Sequence, residues 1–177
     1  MRVSKAFNSL QGMIALNWRL VPGSAASANT VHIALFSGTP PTDDQLQAML
    51  STTNTMFTWS AAALSSFATQ SNFLGDATLS SFVPNMDYDN NIINLPFSSQ
   101  PNTMTIATSG TPTWFLMRVT SVASAGDSWT NFVAGTNCYA LMTGTVGDEN
   151  STADLRILGG TVTAGQPVRV ADMRIKL

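Results

Sequence analysis

The chain has 177 residues, of which only 10% are charged, and a formal charge of −2; ordinary soluble domains carry about 25% charged residues. That length predicts one domain with enough chain to bury a core without staples. The balance argues against disorder, which needs high charge and low apolar content, and against a membrane span, because no long apolar run is present.

The cations are unevenly placed. Arg2, Lys5 and Arg19 open the chain, Arg118, Arg156, Arg169, Arg174 and Lys176 lie in its last third, and none falls between Leu20 and Met117. So bare a stretch cannot neutralise a run of phosphates, and no nucleic-acid partner is expected. A surface with so little charge is also weakly defended against self-association, which suits burial in an assembly. Cys138 is the single cysteine; it permits no intrachain disulfide and no cysteine metal cluster, and reads as a buried thiol. Arg2, Lys5, Met13 to Leu16 and Ala26-Ser27-Ala28 imitate a secretion signal, but the apolar core is short and broken by Gln11, Asn17 and Arg19. No signal peptide is expected.

In chain order, residues 1–29 read as an N-terminal arm or helix plus a small-residue linker, with Arg2, Phe7, Leu10, Ile14 and Trp18 as candidate contacts to a neighbour. Thr30 to Phe36 (TVHIALF) is a strand with Val31, Ile33 and Leu35 on one face. After the Ser37 to Pro41 turn, Thr42-Asp43-Asp44-Gln45 forms a capping box with acids in the first helical turn. The spacing of Leu46, Met49 and Leu50 predicts a short helix to about Leu50. Residues 51–101, rich in Ser, Thr and Asn, read as a region inserted into the fold, with strands at Met56 to Trp59 and Asn91 to Phe97 and a short helix at Ala61 to Phe67. Thr103 to Ala107 and Trp114 to Val122 return to strand character; the second is apolar on nearly both faces and so central. Asn137 to Thr145 is a further strand.

Gly144 to Leu177 reads as two strands joined by glycine-rich turns. Leu155 and Ile157 share a face, Gly159-Gly160 breaks the run, and Ala164-Gly165-Gln166-Pro167 is turn chemistry. In the last strand Val168 and Val170 hold one phase while Ala171, Met173, Ile175 and Leu177 hold the other, the pattern of a β-bulge. Short strands between Gly, Asn and Pro turns predict a mainly β fold: an antiparallel β-sandwich, jelly-roll or Ig-like, over residues 30–177 with one or two short helices.

No reactive constellation stands out. His32, the single histidine, sits in the TVHIALF strand and reads as structural or surface rather than catalytic; a Ser-His-Asp triad stays open because its partners are spatial. No G-x-S-x-G elbow or phosphate-cradling glycine pattern exists. Asp87-Tyr88-Asp89-Asn90-Asn91 resembles the opening of a calcium loop, but Ile92 and Ser98 stand where an EF-hand needs glycine and glutamate. Asp87, Asp89 and Asn91 are weak calcium candidates beside the plainer reading of an Asx-rich turn. Asp148, Glu149 and Asp154 make a second acidic cluster, in which paired carboxylates for glycoside hydrolysis are a remote reading. Trp114 reads as core, while Trp18, Trp59 and Trp129 would have to be exposed to form a carbohydrate platform. Neither a cofactor nor an enzymatic activity is expected.

Four blocks carry a resemblance: VHIALFSGTPPTDDQLQAML, TPTWFLMRVTS, TGTVGDENSTADLRILGGTVTAGQPVRV and VADMRIKL. Together, over about residues 30–50 and 110–177, they resemble a family of small structural proteins of tailed bacteriophages, in turns and strands rather than in reactive groups. The resemblance implies a non-enzymatic β-sandwich subunit of the virion, made in the host cytoplasm. It would act as a capsid decoration or cement protein contacting major capsid or tail subunits and copies of itself. A tail, collar or baseplate component and a glycan-binding receptor module are the alternatives.

Overall fold

The computed structural model describes residues 30–48, 50–51, 57–59, 61–80, 84–87, 89–96, 103–120, 129–133, 137–138, 140–169 and 173–176. The arm with Arg2, Phe7, Leu10, Ile14 and Trp18 lies outside them, as do Tyr88 and the Val170-Ala171 phase change. The fold is mainly β and sandwich-like. Its frame begins at β1 (Thr30–Phe36), which pairs antiparallel with β4 (Phe73–Ser80) on one side and β8 (Trp114–Thr120) on the other. β10 (Ala140–Gly147) extends the sheet beyond β8 and carries β11 (Leu155–Arg156), the latter in parallel. Beyond β4 come β7 (Thr103–Ile106) and β12 (Pro167–Arg169). The seven-stranded order is therefore β11-β10-β8-β1-β4-β7-β12.

A central strand with covered faces should be apolar throughout, and every side chain from Val31 to Phe36 is buried. The odd face of β1 (Val31, Ile33, Leu35) packs with Met117, Met104 and Ile106 against a second, three-stranded sheet. That sheet has the order β13-β6-β5, from β13 (Met173–Lys176), β6 (Ile92–Leu95) and β5 (Asn85–Asp87), and supplies Ile93, Leu95 and Met173 to the shared core. Val146, Leu155, Ile157 and Val162, all from the C-terminal stretch, close it.

The even face is aromatic. Phe36 stacks on Trp114 with ring centroids 4.2 Å apart and planes 11° apart, and meets Phe73 and Phe132 edge-on. Two short helices cap this layer: α2 (Ala61–Leu64) and α3 (Trp129–Val133), delivering Leu64 and Phe132. α1 (Asp43–Ala48) starts with the expected reciprocal cap, Thr42 N–H donating to Gln45 Oε1 at 2.9 Å and Gln45 N–H to Thr42 Oγ1 at 3.3 Å. It ends before Leu50, which opens a small sheet of β2 (Leu50–Ser51), β3 (Phe57–Trp59) and β9 (Asn137–Cys138).

Two expectations are corrected. Residues 51–101 are part of the frame, because β4 lies beside β1 and β5 and β6 build the second sheet. Gly75 and Asp76 interrupt the apolar alternation of β4, and a register shift between Leu35 and Phe36 takes up the extra residue. The C-terminal stretch is likewise no simple strand pair. β11 and β12 occupy opposite edges of the large sheet, and β13 belongs to the other sheet.

Candidate functional site

Three ionisable side chains enter the aromatic face. His32 stands opposite Arg118 on β8, and Asp76 on β4 is one diagonal step away, opposite Ala34. His32 Nδ1 lies 3.4 Å from Asp76 Oδ2, with both side chains 0% exposed. The Arg118 guanidinium is 1% exposed; its Nη2 donates to the Phe132 carbonyl at 2.7 Å and its carbon sits 5.2 Å from the Phe132 ring centre. A cation at the last carbonyls of a helix complements the helix dipole, so Arg118 fastens α3 to the sheet. His32 has acquired the acid that sequence neighbours could not supply, from a strand 44 residues away. A base oriented by an acid is half of a relay, but an imidazole with no exposed surface meets no substrate. The cluster ties β1, β4, β8 and α3 together.

The calcium candidates form the hairpin turn between β5 and β6. Asp87 Oδ1 accepts from the Asn90 N–H at 3.1 Å and Oδ2 from the Asn90 amide at 2.8 Å. The Asn90 side-chain hydrogen bond, and then its backbone one, hold the Asp87 carboxyl below the ordinary aspartate range. Asn91 is buried at φ 58, a left-handed position that asparagine tolerates. The three residues are adjacent, yet the Asp87 carboxylate already serves the turn. No group of three or more His, Cys, Asp or Glu suited to a metal occurs among the described residues.

The second acidic cluster is also spent on backbone. Glu149 Oε2 accepts from the Gly159 N–H at 2.8 Å, and backbone hydrogen bonds lower its pKa. Asp154 Oδ2 accepts from the Thr145 N–H at 2.8 Å and the Thr145 hydroxyl at 2.9 Å. Glycine is required beside it, since a Cβ on Gly144 would stand 2.7 Å from the Phe115 ring and 2.8 Å from Asp154 Oδ2. Of the tryptophans, Trp114 is buried, its Nε1 donating to the Ser37 carbonyl at 3.3 Å. Trp129 is half-buried, edge-on to Phe73 at 5.6 Å, so neither forms an exposed platform.

The feature that sequence reading missed is a groove of about 690 Å³ lined by Arg156, Arg169, Arg174, Glu149, Asp154 and Leu158. Arg156 is on β11 and Arg169 on β12, the two ends of the large sheet, so the sheet curls until its edges share one cleft. Arg174 comes from β13, the edge of the second sheet. A smaller hollow of about 280 Å³ continues along β13 past Arg174 to Lys176, with Met142 and Thr143 on its other wall. All the exposed cations among the described residues therefore line one seam. Leu158, 87% exposed, stands on its rim. Among the described residues no carboxylate lies within ion-pair distance of Arg156, Arg174 or Lys176. Compared with protein-family models, curated proteins and solved structures, the chain yields no significant match.

Proposed function

We propose that this protein is a non-enzymatic structural subunit of a tailed-phage virion, a decoration or cement protein working through subunit–subunit contacts. The observation that carries this reading is the seam: exposed arginines on three strand edges beside an exposed leucine, a surface composed for contact with another protein. The turn-and-strand resemblance of residues 30–50 and 110–177 supplies the virion context, and the one histidine is buried against Asp76. The arm with Arg2, Phe7, Leu10, Ile14 and Trp18 docks on a neighbouring subunit in this proposal.

The test is the copy number of the chain relative to the major capsid protein in purified virions, by quantitative mass spectrometry. A count of the same order as the capsid subunit supports decoration or cement. A small ring-like count moves the protein to the tail, collar or baseplate, and absence from virions overturns the structural reading. Deleting the residues before Val21 should leave a folded domain that no longer incorporates.

A further inference from the structure

Open strand edges are a hazard, and charged side chains on them commonly serve only to keep other strands away. Guarding three separate edges, however, does not require the guards to meet. Here Arg156, Arg169 and Arg174 converge from β11, β12 and β13 on one groove. Among the described residues each of the three strands is paired on one side only, which leaves backbone N–H and C=O groups of the other edge beside the guanidinium groups. Two carboxylates share the groove, Asp154 accepting from Thr145 and Glu149 from the Gly159 N–H, and against Arg156, Arg169, Arg174 and Lys176 they leave the seam net cationic.

We infer that this seam receives an extended, acidic segment of a partner protein, added as a strand along the β13 edge with its carboxylates on the arginines. The inference rests on the reading above that the protein works by subunit contacts. β13 is the longest of the three edges, and its exposed side chains are Arg174 and Lys176, two positions apart. In a strand that spacing is about 7 Å, the same as between carboxylates on alternate residues of an extended partner. Arg156 faces the same ligand from the large sheet. Strand addition supplies main-chain hydrogen bonds, while paired charges set register and preference. The N-terminal arm of a second copy is a poor occupant, because residues 1–29 carry Arg2, Lys5 and Arg19 and no acid. A neutral glycan is the weaker candidate, since among the described residues no Trp or Tyr lines either hollow.

The probe is a fluorescein-labelled heptapeptide with glutamate at positions 1, 3, 5 and 7 and Thr or Val between, titrated with the full chain by fluorescence polarisation at about 50 mM salt. A glutamine counterpart and a backbone N-methylated version serve as comparisons. The glutamate peptide is expected to bind at least tenfold more tightly than the glutamine one. R156Q and R174Q, both exposed positions that leave the core intact, should each weaken it about five- to tenfold, and N-methylation should weaken it at least fivefold. Equal binding of the glutamine peptide, or binding unaffected by both variants, overturns the inference; indifference to N-methylation overturns strand addition. Tighter binding of a heparin oligosaccharide, lost in the same variants, would assign the groove to a sulfated polysaccharide instead. Presence in virions without peptide binding sinks this inference alone, and peptide binding by a chain absent from virions sinks the structural reading alone.

Discussion

Replacing Phe36 with alanine tests the aromatic layer where it is densest. The ring is fully buried, stacked on Trp114 at 4.2 Å and edge-on to Phe73 at 5.8 Å and Phe132 at 5.7 Å. Removing a buried phenylalanine costs about 3–5 kcal/mol through lost transfer energy and the cavity left behind. Aromatic pairs add about 0.5–1.5 kcal/mol each, not additively, so about 5 kcal/mol is expected. With a urea slope of about 2 kcal/mol per molar, the unfolding midpoint should fall by about 2.5 M. Phe67, half-buried and tilted against Trp114 at 6.1 Å, should lose only about 1–2 kcal/mol as alanine. The assay is urea unfolding followed by tryptophan fluorescence and circular dichroism. A midpoint shift below about 0.5 M for Phe36→Ala at unchanged slope would refute the packing described, as would equal shifts for both positions.

Asp76→Asn should lower stability by about 3 kcal/mol in the same assay, since it removes the charge from one member of a buried pair; a loss under about 0.5 kcal/mol would show that the pair does not hold β1 to β4. Gly144→Ala should cost about 2 kcal/mol by driving a methyl group into Phe115 and Asp154, and wild-type stability would mean that the loop yields freely. The Asp87 carboxyl should titrate below the ordinary 3.8. Because its folded-state pKa is lowered, its stabilising effect is complete above the ordinary value and disappears as pH falls through the lowered one. Asn90→Ala should raise that midpoint in a carbon-detected NMR titration, and an unmoved midpoint would refute Asn90 as the cause.

Elements whose residues follow one rule were legible in advance. TVHIALF and Trp114 to Thr120 are apolar on both faces and lie near the middle of the sheet. Thr42 and Gln45 make the reciprocal cap that their spacing announces. β4 was missed because Gly75 and Asp76 break its pattern, and Asp76 is buried for a reason that lies on β1. α3, Trp129–Val133, has Ser128 before it as a start signal, but five residues are too few to show helical periodicity, and the helix is held by Arg118 from another element. The clustering of cations late in the chain was visible. Their meeting was not, because it depends on a sheet that brings its first and last strands together.

The position of β1 also has a consequence during synthesis. Ser37 and Trp114, joined by a hydrogen bond at the end of the β1–β8 pair, are 77 residues apart in sequence. At about 5–20 residues per second, the ribosome delivers β8 roughly 4–15 s after β1. For that interval the nascent chain holds a strand, destined to be buried on both faces, whose β8-side edge has no partner. Contacts so distant in sequence also slow folding. The structure therefore makes the interval before β8 emerges the time at which misassociation with other chains competes best, and slower translation beyond Phe36 should lower the soluble yield.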